Sequence, residues 1–241
     1  MKPKILLWIS HDLTEYCTAY YLQKSIDADF YAVIDVTDDL KQFFKEQTLV
    51  KFSKIWFYHD LINSSINVQP NFLETFEDKY NIDIWQLAKN DRIFRHDFYE
   101  YHQFSKKEIQ EILEKECTFF EEILDDVQPD FFITLETALR PHHFFYLLSK
   151  KKEVKILMLN AANWGNYCYI SENYHRLTNF SEIFSTTDCP ITTFEEVENL
   201  LKTNTRSKKH DQFFSSHRSS KLEKISAAFH YLFISKNTNS K

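Results

Sequence analysis

Lys4-Ile-Leu-Leu-Trp-Ile-Ser-His-Asp12 is the stretch whose reading decides the fold. Its apolar part runs without alternation and stops at three small or polar residues. A short uninterrupted apolar run reads as a strand buried on both faces, as strands of a parallel sheet are. Ser10, His11 and Asp12 then stand where the strand ends and a helix begins. In open α/β sheets, ligands bind at that edge.

The same grammar repeats outward from this strand. From Leu13 to Ile26, Leu13, Tyr16, Cys17, Tyr20, Tyr21 and Leu22 fall at helical spacing, predicting one buried stripe with Asp12 or Thr14 as N-cap. Asp29-Phe-Tyr-Ala-Val-Ile-Asp35 reads as a second strand, and Val36 to Phe52 as a short helix centred on Leu40-Lys-Gln-Phe-Phe44. Lys54-Ile-Trp-Phe-Tyr58 reads as a third strand, closed by His59 and Asp60 much as His11 and Asp12 close the first. Asn71 to Tyr80 and Asp83 to Lys89 read as helical, followed by an aromatic- and His-rich stretch from Asp97 to Phe104. Ser105, with Glu108 three residues on, is a capping box opening a long helix whose apolar face carries Ile109, Leu113, Cys117, Phe120 and Leu124. Pro129 to Leu135 reads as a fourth strand. Glu136 to Arg140 leads into a helix through Leu148, and Val154 to Leu159 is a fifth strand ending at Asn160. The expected fold is α/β, a Rossmann-like parallel sheet of about five strands flanked by helices and joined by right-handed crossovers. It is expected to occupy residues 1–180. Residues 181–241 read as a helical and linker segment: a helix over Phe194 to Leu201, a polar run from Thr203 to Ser220, and another helix from Leu222 to Ile234.

Composition narrows the function. The chain has 241 residues, 43% hydrophobic and 27% charged, which is ordinary for a globular protein. The aromatic share of 17% is high. The single glycine, Gly165, lies in a predicted turn, Asn163-Trp-Gly-Asn166. A dinucleotide-binding turn or a P-loop needs glycines after the first strand, and none is there. NAD, FAD and P-loop nucleotides are therefore disfavoured, and no cofactor is expected. A net charge of -6 without a basic patch argues against nucleic acid. Cys17, Cys117, Cys168 and Cys189 lie far apart, which fits reduced thiols; Cys17 and Cys117 fall on apolar helix stripes and are expected in the core. The apolar core Ile5–Ser10 is too short for a signal peptide, and no run approaches the ~20 residues that span a bilayer. A soluble cytoplasmic protein is expected, with peripheral membrane association left open.

Three strand ends and two segments together resemble a known family. Trp8-Ile-Ser-His-Asp12, Ala28-Asp-Phe-Tyr-Ala-Val-Ile-Asp35 and Ile55-Trp-Phe-Tyr-His-Asp60 resemble the N-terminal half of capsular or surface polysaccharide biosynthesis proteins. So do Ile84-Trp-Gln-Leu-Ala-Lys-Asn-Asp-Arg92 and the long helix leading into Gln128-Pro-Asp-Phe-Phe-Ile133. Those proteins are similar to GT-B glycosyltransferases. The resemblance implies an acceptor-side domain, with a nucleotide-sugar and a glycan acceptor as ligands. It also implies a separate C-terminal half for the donor, which this chain, ending at Lys241, is expected to need as a partner. A non-catalytic binding or assembly module is the alternative.

The candidate site residues sit at strand ends. His11 is the candidate base and Asp12 its neighbour, since an imidazole titrates near neutral pH. The opposing reading makes Asp12 a helix cap and His11 a loop contact. Ser10, His59 and Asp60 are candidate binding residues beside them, two His-Asp pairs flanking one crevice. Metal ligation is disfavoured, because neighbouring His and Asp point different ways and a site needs three or four convergent ligands. Glu136 and Arg140, four apart, read either as an ion pair on one helical face or as a substrate contact with Arg140 holding an anion. Arg92, among aromatics, and Asn160, at a strand end, complete the set. Phe94, Phe98 and Phe104 are assigned to packing. His142 and His143 open a helix, with one expected to be exposed.

Overall fold

The computed structural model describes residues 2–11, 13–36, 38–64, 71–95, 103–137, 139–161, 168–173, 176, 181, 182, 185, 193–203, 222, 225, 226 and 229. Asp12, Phe98, the segment 163–166 and the polar run from 204 to 220 lie outside them. The strands are β1 (Lys4–Ile9), β2 (Asp29–Ile34), β3 (Lys54–Phe57), β4 (Phe131–Leu135), β5 (Lys155–Ala161) and β6 (Cys168–Ser171). They form one sheet in the order β3-β2-β1-β4-β5-β6. The β1–β2, β1–β4 and β2–β3 pairs are parallel, with Lys4 opposite Asp29 and Leu6 opposite Phe132. The helices are α1 (Thr14–Ser25), α2 (Asp38–Glu46), α3 (Tyr58–Asn63), α4 (Phe72–Tyr80), α5 (Ile84–Asn90), α6 (Lys106–Val127), α7 (Arg140–Lys151) and α8 (Phe194–Thr203). Contacts divide the described residues between two compact units, within Met1–Met158 and within Leu159–Asn237.

β1 is central, and Ile5 to Ile9 are all buried, as its unbroken apolar run requires. Its two faces feed two packed layers. Trp8 anchors the face beneath α3, α6 and α7. Its ring lies 5.8 Å from Phe120, 5.8 Å from Tyr58 and 5.5 Å from Phe145, and stacks on His142 at 5.0 Å. Each such aromatic pair adds roughly 0.5–1.5 kcal/mol beyond the area it buries. α6 packs its stripe of Leu113, Cys117, Phe120, Ile123 and Leu124 into this core. Its start is the expected capping box: the Ser105 hydroxyl accepts from Glu108 N, and the Glu108 carboxylate accepts from Ser105 N.

α1 departs from the sequence reading. Its buried residues are Glu15, Tyr16 and Ala19, while Cys17 is exposed and Tyr21 is 66% exposed. Ala19 has only a methyl group, which lets the helix lie close to the sheet. The tyrosines beside it lie outward, where the Lys24 ammonium sits 3.9 Å above the Tyr20 ring. The N-cap is Leu13, at φ 62 and without a side-chain cap bond, rather than Asp12 or Thr14. A chain with one glycine must place other residues at such left-handed positions, and Asn71, Asn81, Gln128 and Glu153 occupy them too.

Candidate functional site

β1 and β4 are neighbours, yet the chain leaves β1 toward β2 and leaves β4 toward β5. That reversal opens a crevice outside the carboxyl ends of the strands. Two cavities lie there, both within the first unit. The first, about 500 Å³, is lined by Ser10 and His11 after β1, Asp35 after β2, Glu136 after β4, and His142 on α7. The second, about 370 Å³, is walled by Ile62, Phe94, Phe104, Ile112 and Leu139, with Asp91 and Arg140 also lining it. Asp35, His59 and Leu139 line both, so they form the ridge between the two.

On that ridge, His59 Nε2 lies 3.1 Å from Asp35 Oδ1. The pairing crosses two elements. β2 delivers Asp35 at its carboxyl end, and His59 is the second residue of α3, directly after β3. Both are partly exposed, His59 at 31% and Asp35 at 17%. A carboxylate on one ring nitrogen fixes the tautomer and leaves the other nitrogen basic.

Beneath the second cavity lies a buried charge group. Arg140, first residue of α7, donates from Nε to Asp91 Oδ2 at 2.5 Å. Its two terminal nitrogens donate to the Glu116 carboxylate, Nη2 at 3.0 Å from Oε1. Tyr58 donates its hydroxyl to the same Oε1. Burial works against the guanidinium charge, but Glu116, Tyr58 and Asp91 more than offset it and hold its pKa above the ordinary value. Burial, and then Glu116, push the Tyr58 hydroxyl well up. The Phe94 ring covers the guanidinium at 4.7 Å. All three guanidinium nitrogens are thus engaged from within the protein.

His142 is buried against Trp8, its Nε2 hydrogen-bonded to Thr134 Oγ1. Burial, aided by His143, lowers its pKa to about 3. His143 pairs Nδ1 with Thr137 Oγ1 at 2.8 Å and is lowered by burial as well. Neither of the two is exposed, contrary to expectation.

The structure therefore gathers Ser10, His11, His59, Glu136 and Arg140 at one crevice. Asp60 is not among the residues lining it and bridges to Lys41 on α2 at 2.5 Å. Arg92 is exposed in the turn after α5. Asn160 is the penultimate residue of β5, one short of its end, and is fully buried, donating from Nδ2 to Ser171 Oγ at 2.8 Å. Glu136 precedes α7, so it shares no helical face with Arg140, whose carboxylate partners come instead from α6 and the end of α5. Phe94 packs on the core as assigned, while also walling the second cavity with Phe104. Asp35 was legible as one more strand-end residue. Asp91, Glu116 and Tyr58 carried no local signal.

No family model matches this chain, and no curated protein matches it either. Among solved structures it is similar to a CDPS (cyclodipeptide synthase) from Fluoribacter dumoffii, at 12% identity and a TM-score of 0.37, over 66% of this chain and 89% of that one. The expected membership among capsular or surface polysaccharide glycosyltransferases of the GT-B type is corrected accordingly: the structure found is a CDPS and not a glycosyltransferase. The resemblance rested on apolar strands ending in polar residues, which any parallel α/β sheet repeats. Arg140, expected to hold an anion, gives three of its hydrogen bonds to Asp91 and Glu116.

Among the described residues, no helix is long and apolar enough to cross a membrane, and no group of three or more His, Cys, Asp and Glu is placed to hold a metal ion.

Proposed function

We propose that the crevice at the carboxyl edge of the sheet binds a small organic molecule, and that His59, held by Asp35, exchanges a proton with it. The carrying observation is the His59–Asp35 pair on the ridge between two cavities, 3.1 Å apart. Both cavities fall in the size range of small-molecule sites, apolar walls with a few convergent polar groups. The chemistry such a pair supports is general acid–base catalysis. The imidazole takes a proton from an O–H or N–H of the ligand, and the carboxylate steadies the resulting imidazolium. Trp8 and the neutral His142 stacked on it line the first cavity, with His142 hydrogen-bonded to Thr134. A cytoplasmic setting belongs to the same proposal, supported by the free thiols of Cys17, Cys117 and Cys168.

The test is a library of small organic molecules screened by amide-detected NMR on the full chain. Binders should shift the amides of Tyr58–Asn63, Arg140 and His142 together. Binders that shift only the outer face of α1, or a library without a single binder, would overturn the reading.

A further inference from the structure

The lining of the second cavity speaks to the charge of its ligand. Among the described residues lining the two cavities, Arg140 is the only lysine or arginine, and its charge is already paired with Asp91 and Glu116. That group keeps one negative formal charge uncompensated. Asp35 adds another carboxylate at the cavity wall. Its Oδ1 meets His59, and no other side-chain partner holds the carboxylate among the described residues. The remaining wall is mainly apolar, with Asn63 and Tyr58 its other polar residues. An anion entering here would meet carboxylates and a guanidinium already paired with two of them, whereas a cation would meet acceptors in a partly desolvated site.

We infer that the second cavity takes a primary amine with an apolar, ring-sized body, its ammonium on Asp35 and its body along Phe94, Phe104 and Leu139. This inference rests on the crevice being a ligand site, and deepens that reading by naming the ligand class. The cavity, about 370 Å³, is more than twice the ~150 Å³ that accommodates a benzene ring, so an aromatic amine with a short tether fits it. The ammonium then lies next to His59, the group positioned to accept one of its protons.

Matched ligands test this by calorimetric titration of the full chain: phenethylamine, the isosteric 2-phenylethanol, and 3-phenylpropionate. Phenethylamine should bind at least about tenfold tighter than the alcohol, and the carboxylate should be the weakest. Asp35→Asn should cut the amine-over-alcohol preference to about threefold or less, and Leu139→Ala should weaken amine and alcohol alike. Alcohol binding as tight as amine binding, or tighter carboxylate binding, would overturn the charge assignment while leaving the crevice reading intact. Failure of all three to bind, where the library screen does find crevice binders, would overturn the assigned body class. An amine preference undiminished in both Asp35→Asn and Asp35→Ser would overturn Asp35 as its anchor.

Discussion

His142 shows how much one side chain can carry. Its folded pKa of about 3 lies below the ordinary 6.5, so the unfolded chain binds a proton that the native state refuses. The stability tied to its neutral form is fully present above pH 6.5 and is lost as pH falls through the window toward 3. Between pH 7 and pH 5 the loss should be about 2 kcal/mol. Urea unfolding at both values should show that drop in the wild type and a much smaller one in His142→Gln. Equal drops would mean that His142 does not carry it. Arg140 is the other residue on which much depends. Arg140→Met leaves Glu116 and Asp91 buried without their cation, which costs roughly 3–5 kcal/mol. Adding Asp91→Asn and Glu116→Gln should recover most of this, again read from urea midpoints. A triple variant no more stable than the single one would argue against electrostatics as the cause.

At the scale of the element, local rules act most visibly at helix ends. The α6 capping box was readable because Ser105 and Glu108 form it within one turn. Its other end was not, because Gln128 takes φ 48, a conformation that glycine adopts at far less cost. Gln128 is exposed, so Gln128→Gly should raise stability by about 1 kcal/mol in a thermal melt. A lowered midpoint would show that the position is not strained. α1 failed the periodicity reading for a related reason. Of the expected stripe of Tyr16, Cys17, Tyr20 and Tyr21, only Tyr16 is buried, and it shares the inward side with small Ala19 and with Glu15. Tyrosine bodies cover surface well enough to imitate a core stripe.

For the whole molecule, the sheet was legible and the site only in part. β1 to β5 were readable from their apolar runs, and α8 because its first turns keep helical spacing. The crevice was foreseeable from strand ends alone, which placed Ser10, His11, His59 and Glu136 correctly at one edge. The pairings within it depend on sheet order. Two adjacent His-Asp pairs in sequence became one cross-element pair, because β2 lies between β1 and β3 and sets Asp35 beside His59. The Arg140 group joins residues 49 and 24 positions apart, a distance at which no local pattern operates. The resemblance to glycosyltransferases failed for the same reason: strand-end polarity reports the architecture and not the chemistry.

The His59–Asp35 pair is most directly tested by the ring ¹⁵N spectrum of His59 at pH 8, in the wild type and in Asp35→Asn, with and without a crevice-binding amine. The wild type should show one dominant tautomer, protonated at Nε2 toward Asp35, and the amine should shift the Nδ1 resonance. Asp35→Asn should lose that dominance. A His59 ring that samples both tautomers equally in the wild type, and ignores the amine, would contradict a proton-exchanging group at a ligand site.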